Sequence, residues 1–256
     1  MNIKVKGIIL NETPVRESDK ILTILTKEYG KITVSAKGAR SPKSKFLSST
    51  QLFCYCNFFL FNGRGFLTLS ESELIYSFYG IRTDYEKLIA GQYALEVCDK
   101  ILLKNLPPLE ESTSNEILYL LLKTLKILCR DDFYLRGFNL KLMCIVFKFK
   151  VLQFSGFAPE TTDCVVCNKK INHEGLIFFG INGSVCQDCV KNNKDVFMKI
   201  SSTTLYVLNY ILNSQIDDVF KFKVDDNILN ELWRCINVFT KYHCDIYIKS
   251  GEMLSL

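Results

Sequence analysis

The spacing of hydrophobic and polar positions changes period once along the chain, near residue 80. Before that point apolar residues fall in short runs of β character. Ile3-Lys4-Val5-Lys6-Gly7 alternates and then passes into the unbroken run Ile8-Ile9-Leu10. Ile21-Leu22-Thr23-Ile24-Leu25-Thr26 and Lys31-Ile32-Thr33-Val34-Ser35-Ala36 are short and rich in β-branched residues, and Tyr29-Gly30 between them signals a turn. An aromatic-rich run from Leu52 to Phe61 is followed by Asn62-Gly63-Arg64-Gly65 and the apolar pair Phe66-Leu67. Asn-Gly between two such runs predicts a hairpin, because both residues tolerate positive φ. Five short strands over residues 1–80 predict a small closed or partly open barrel.

From Tyr85 onward the period is helical. Tyr85, Leu88, Ile89, Tyr93, Val97 and Ile101 form one stripe, ended by Pro107-Pro108. Thr113-x-x-Glu116 reads as a capping box opening a second helix with Leu118, Leu121, Leu122, Leu125, Leu128 and Cys129 on its face. A third helix is predicted from about Phe133 to Phe154, stopped by Gly156 and Pro159. Leu205, Leu208, Ile211 and Leu212 predict a fourth, and Ile228, Leu232, Cys235, Ile236 and Phe239 a fifth. Residues 81–160 and 195–256 are thus expected to form two parts of a helical domain, with residues 161–194 inserted between them. The fold class is α+β and multidomain.

The insertion carries Cys164-x-x-Cys167 and, eighteen residues later, Cys186-x-x-Cys189. Two residues between cysteines let a tight turn aim both thiolates at one ion, and two such turns complete a tetrahedron. One structural zinc is expected, closed by four thiolates and hence no Lewis acid. Gly175-Leu176-Ile177-Phe178-Phe179-Gly180 through Gly183 predicts a hairpin between the knuckles. A zinc deaminase would need H-x-E and P-C-x-x-C; here Glu174 directly follows His173, and Val185 precedes Cys186. The other seven of the eleven cysteines (54, 56, 98, 129, 144, 235, 244) are expected as buried small hydrophobes. Cysteines used this way, with charges at the start where a signal peptide would be apolar, imply a reducing compartment. The longest apolar stretches, Leu52–Phe61 and Ile117–Leu122, are too short to span a membrane, so a cytoplasmic, soluble protein is expected.

Charge changes the picture further. The first 80 residues hold eleven of the 32 Lys/Arg but only six of the 27 Asp/Glu, so the whole net charge of +5 lies there. Between Glu28 and Glu71 there are six cations (Lys31, Lys37, Arg40, Lys43, Lys45 and Arg64) and no acid, and all six are expected to contact the phosphates of a nucleic acid. Lys37-Gly-Ala-Arg-Ser-Pro-Lys-Ser-Lys45 is expected to be a mobile loop whose cations contact phosphates. Phe53, Tyr55, Phe58, Phe59, Phe61 and Phe66 either fill the barrel core, the favoured reading, or stack on bases.

Enzyme signatures are lacking. Gly63-x-Gly65 has nothing else of a phosphate-binding loop. The pairs Glu110-Glu111, Asp131-Asp132, Asp217-Asp218 and Asp225-Asp226 suggest a metal-dependent nuclease, but their places near helix starts suit capping better. His243, beside Cys244, reads as packed or solvated, and no nucleophile–base arrangement is visible.

Taken in order, these features resemble the RecO family of bacterial recombination mediators. The resemblance rests on Glu17-Ser-Asp-Lys-Ile-Leu, Leu25-Thr-Lys-Glu-Tyr-Gly-Lys31, Ala36-Lys-Gly-Ala-Arg40 with Ser44, Leu152-Gln-Phe-Ser-Gly-Phe-Ala-Pro159 before the first knuckle, and Ser250 after the last helix. It implies an N-terminal OB-fold barrel (residues 1–80), a helical domain (81–160 and 195–256) and a four-cysteine zinc-finger insertion (161–194). It also implies a non-enzymatic activity: binding single- and double-stranded DNA, annealing strands coated with single-strand-binding protein, and helping RecR load RecA. Lys37 and Arg40 are carried over as DNA contacts, and Cys164, Cys167, Cys186 and Cys189 as zinc ligands. The family's site for the tail of single-strand-binding protein lies in its helical part and has no residue-level counterpart here. A different class, a zinc-and-barrel accessory factor binding RNA or RNA polymerase, is the alternative.

Overall fold

The computed structural model describes residues 2–63, 65–102, 111–171, 176–191 and 197–254, with residues 111 and 112 described by backbone alone. Five strands come first: β1 (Asn2–Val15), β2 (Asp19–Thr26), β3 (Gly30–Ala36), β4 (Tyr55–Asn62) and β5 (Leu67–Tyr76). A 3-10 turn (Tyr79–Thr83) leads into α1 (Tyr85–Ile101), α2 (Glu111–Leu128) and α3 (Leu140–Phe154). Then come β6 (Ile177–Phe179), β7 (Ser184–Cys186), α4 (Gln187–Lys191), β8 (Met198–Ile200), α5 (Ser202–Asn213), α6 (Asp226–Cys244) and α7 (Ser250–Met253). These elements divide into two compact units, one running to Arg136 and rejoined from Ile248, the other Gly137–Tyr247.

In the first unit the strands close into a barrel of order β1-β2-β3-β5-β4. β1 is long enough to pair with β4 over Asn2–Ile8 and with β2 over Gly7–Val15, antiparallel in both cases. A short parallel contact, Val34 to Leu67 and Ser35 to Thr68, completes the ring. Alternate residues point inward, and Val5, Ile9, Leu22, Ile24, Val34 and Phe58 meet in the core. The hairpin predicted at Asn62-Gly63 joins β4 to β5, its turn closed by Gly63 N–H to Phe66 O at 3.1 Å.

The apolar runs that break the alternation have a packing cause. Ile8 and Leu25 face each other across β1 and β2, outside the barrel core, yet both are wholly buried. α1 packs against β1, and α2 against β2 and β3, so this side of the sheet is covered on both faces. The register slips between Ile9 and Asn11, leaving Leu10 as a buried bulge residue. At Gly7 a Cβ would come within 2.6 Å of Leu25 O, so only glycine allows β1 to cross β2 there.

Helix ends follow their caps. Asp84 accepts from Lys87 N at 3.1 Å and opens α1. α2 begins at Glu111, so Thr113 lies inside its first turn and the box expected at Thr113 and Glu116 is not its N-terminus. Pro107-Pro108 fall outside the described residues. α3 starts at Leu140 rather than near Phe133: Asp132 gathers Arg130 (Nε, 2.8 Å) and Arg136 into a turn, Gly137 takes φ 71°, and Asn139 caps Leu142 N at 2.9 Å. Gly156, at φ 85°, follows its end as expected.

In the second unit α3 is buried on nearly every side, and it carries two lysines inside. Lys150 Nζ donates to Leu212 O and to Gln153 Oε1, each at 2.9 Å, and Lys148 Nζ to Asn237 Oδ1 at 3.4 Å, while burial lowers the Lys148 pKa to about 8. Ser201 and Asp225 cap α5 and α6. Glu231 on α6 accepts from Ser201 N at 2.8 Å and from Thr204 Oγ1 at 2.5 Å, which pins the start of α5 to α6. No helix among the described residues is long and apolar enough to cross a membrane.

A comparable carboxylate holds α7 in the first unit. Glu96 on α1 accepts from Lys249 N at 2.9 Å, Ser250 N at 3.0 Å and Ser250 Oγ at 2.6 Å. Burial pushes its pKa up, but the Ser250 hydroxyl and the two N–H donors outweigh burial and leave it below the ordinary 4.5. A depressed carboxyl stabilises the fold above its unfolded pKa, and that contribution fades as pH falls through the lower folded value. Glu96→Gln is therefore expected to lower the urea midpoint at pH 7, with the deficit shrinking below about pH 4. Urea unfolding at several pH values checks this, and a deficit that stays constant in acid would deny Glu96 the role.

Candidate nucleic-acid interface and metal centre

The basic segment between β3 and β4 folds into successive turns rather than an open loop: Ser41 N bonds to Gly38 O (3.1 Å) and Ser44 N to Ser41 O (2.9 Å). The segment is tied to the turn between β1 and β2. Asp19 Oδ1 accepts from Gly38 N at 2.8 Å, Ser18 O accepts from Arg40 N at 2.9 Å, and Arg40 Nη1 donates to Arg16 O at 3.1 Å. Gly38 takes φ 65°, which suits glycine at this bend. Charge counting passes over Asp19, which holds this segment at Gly38; its place in Glu17-Ser-Asp-Lys20, next to the turn, is the sequence signal for it.

Lys37, Arg40, Lys43 and Lys45 are all exposed, so the turns present four cations on one segment. Lys45 Nζ also reaches Ser70 O on β5 at 2.9 Å, which sets it against the barrel wall. Lys31 is different and corrects the expectation. It is 4% exposed, its Nζ donates to Asp99 O and lies 3.6 Å from Asp99 Oδ1, and it therefore braces β3 against α1 instead of meeting phosphate. Arg64 lies outside the described residues.

The six aromatic candidates separate by depth. Phe53 and Phe58 are buried, Phe58 in the barrel core and Phe53 against Gly91 of α1. Tyr55 and Phe59 are half-buried on the outer face of β4, whereas Phe61 and Phe66 stand exposed at the hairpin.

The four cysteines of the insertion converge. Their Sγ atoms all lie within 4.8 Å of one another, and Cys167 Sγ is 3.8 Å from Cys186 Sγ. Thiolates 2.3 Å from one zinc at tetrahedral corners stand about 3.8 Å apart, so the donor set and its spacing fit that ion. The first knuckle is a tight turn with Cys164 N to Lys169 O at 2.8 Å and Asn168 at φ 57°. The second ends β7 and enters α4, where Cys186 N donates to Cys164 Sγ at 3.4 Å. Burial raises the Cys164 pKa, but the N–H groups of Cys186, Cys167 and Val166 more than offset it and bring the thiol down to about 6, readying it as a thiolate. The expected hairpin between the knuckles is β6–β7, extended by β8 to a three-stranded sheet. Gly183 (φ 135°) lies on the backbone of Glu160, where any Cβ would sit 2.1 Å from Glu160 O.

Of the remaining candidates, Asp225 caps α6, Asp132 pairs with Arg130 and Arg136, and Asp218 Oδ1 pairs with Lys221 at 2.6 Å. Glu110 and His173 lie outside the described residues. His243 is packed, its ring 4.3 Å from that of Phe239 and its Nε2 2.8 Å from Ile181 O. Five of the other seven cysteines are buried, and Cys129 and Cys244 are partly so.

Two family models match this chain: "Recombination protein O N terminal" over residues 1–78 and "Recombination protein O C terminal" over residues 82–252. The "DNA repair protein RecO" of Acetivibrio thermocellus is 33% identical over 240 residues, covering 93% of this chain and 90% of that one. Its counterpart in Thermoanaerobacter sp. is 31% identical over 260 residues, with 99% and 97% covered. That of Alkaliphilus metalliredigens is 30% identical over 246 residues, with 96% and 95% covered. The closed barrel, the helices and the cysteine cluster therefore agree with a match that spans both parts of the sequence: the chain belongs to the RecO family of DNA repair proteins.

Proposed function

We propose that this chain acts in DNA repair as a recombination mediator that binds DNA and joins strands without making or breaking a covalent bond. The observation that carries the reading is the turn segment Lys37–Lys45, where four exposed cations sit in a stretch devoid of acids from Glu28 to Glu71. Cations of this kind gain affinity by releasing phosphate counterions, and backbone contact carries no base sequence. Single- and double-stranded DNA are both ligands on this account. Of the paired acids, Asp225 serves as a cap and Asp132 and Asp218 as ion-pair partners, which favours binding over hydrolysis.

A second site on the chain holds the tail of single-strand-binding protein. Tethering two coated strands raises their effective concentration, while the basic segment screens phosphate repulsion as they pair. RecR is the partner with which the chain delivers RecA to the DNA. The setting is the cytoplasm, at the nucleoid. One zinc held by Cys164, Cys167, Cys186 and Cys189 braces the inserted sheet.

Replacing Lys37, Arg40, Lys43 and Lys45 together by alanine is expected to weaken binding to every DNA sequence and to lower the slope of log affinity against log salt by about 3. Fluorescence anisotropy across a salt series reads both; an unchanged slope would remove the segment from the interface. The purified protein is expected to contain one zinc per chain by elemental analysis, lost in Cys164→Ser together with a fall in melting temperature. Full zinc retention in that variant would remove Cys164 from the ligand set.

A further inference from the structure

Two large rings of the barrel face solvent instead of its core. Phe61, near the end of β4, is 50% exposed and Phe66, just before β5, is 79% exposed. Side chains of this kind are ordinarily buried, so two neighbouring phenylalanines left outside point to a binding role. The hairpin turn brings them together: Gly63 N donates to Phe66 O at 3.1 Å, and the Phe61 ring lies over Gly63, 3.6 Å from where a Cβ would stand.

The surroundings suit a polyanion that carries aromatic rings. Phe61 shares the outer face of β4 with Phe59, two residues away and so about 6.6 Å along the strand. Lys4, opposite Phe59 on β1, places its Nζ 4.9 Å from the centre of that ring. On the other side, Ser70 Oγ donates to Phe59 O at 2.8 Å and Lys45 Nζ donates to Ser70 O at 2.9 Å. Lys4 thus lies over Phe59 from β1, Glu71 stands opposite Phe59 on β5, and Lys45 of the basic segment reaches β5 one residue before Glu71. No acid occurs from Phe59 to Ser70; Glu71 and Glu73 follow on β5, and Asn57 Nδ2 engages Glu73 at 3.1 Å.

We propose that Phe61 and Phe66 stack on unpaired bases of single-stranded DNA whose phosphates run along Lys4 and Lys45. This rests on the reading of the Lys37–Lys45 segment as a DNA contact and adds to it a preference between DNA forms. Every base has a π-face, so stacking tolerates any sequence. In a duplex the faces are taken up by the stack at 3.4 Å spacing, and two rings on a protein surface reach them only once the strand is opened. The cations serve both forms of DNA, whereas the phenylalanines serve the open strand alone.

The test compares the unchanged full-length chain with Phe61→Ala/Phe66→Ala by anisotropy, using a mixed-sequence oligonucleotide single-stranded and as its duplex, over a salt series. The double variant is expected to bind the single strand about 10-fold more weakly or worse. Duplex affinity should stay within about 2-fold and the salt slope should not change, because the lost contact is not ionic. Phe66→Trp in a Trp233→Phe background leaves one indole in the chain, whose emission the single strand should quench without loss of affinity. Single-strand and duplex affinities that fall together, or that both hold, overturn the proposal, as does emission unmoved by saturating oligonucleotide. A loss of self-association with DNA binding intact would overturn it too and mark the rings as a contact between copies. Failure of the underlying DNA reading looks different, since the unchanged chain would then bind neither form of DNA.

Discussion

Everything in the first unit hangs on β1 serving two neighbours. One strand of fourteen residues pairs with β4 along its first half and with β2 along its second, and Gly7 sits where the two ladders overlap. The close passage leaves no room for a side chain, so the barrel closes only with glycine at that point. Closure in turn fixes the far elements. It sets the turn after β1 beside the segment after β3, where Asp19 and Ser18 can grip Gly38 and Arg40. It also swings the β4–β5 hairpin to the side reached by Lys45.

The consequence is a surface on which charge and aromatic area come from different parts of the sequence. Residues 37–45 supply exposed cations, β1 supplies Lys4, and the hairpin supplies rings. Asp19, Ser18, Arg16 and Ser70 hold the basic segment through Gly38 N, Arg40 N, the Arg40 guanidinium and the Lys45 ammonium, and all four of its cations keep exposed surface. In the second unit, two turns and a short sheet gather four thiols into a cluster whose spacing fits one metal ion.

Much of this was legible in the sequence, and the reasons for success and failure are physical. Strand positions were readable because their alternation is a direct trace of inside and outside, and even the exception at Ile8-Ile9-Leu10 reports a strand covered by the barrel core on one face and by α1 on the other. The cysteine centre was readable because its ligands are close in sequence and their spacing is set by turn geometry. Lys31 was misjudged because a count of charges cannot see depth: in β3 it falls on the side covered by helix, and Asp99, its partner, is 68 residues away. The start of α3 was placed too early because Phe133 looks like part of the stripe, while the ion pairs of Asp132 and the bend at Gly137 that end the preceding turn leave no periodic mark. The aromatic run could not be divided into core and surface, since β4 exposes its final ring only where the barrel ends at the hairpin.

The central claim is that this chain brings strands together by binding alone. Strand annealing tests it most directly: complementary oligonucleotides coated with single-strand-binding protein, with and without the chain, at two salt concentrations. The account predicts acceleration that weakens as salt rises, with both strands recovered intact. No acceleration at either salt, or RNA bound in preference to DNA, would contradict it and turn attention to the accessory-factor reading.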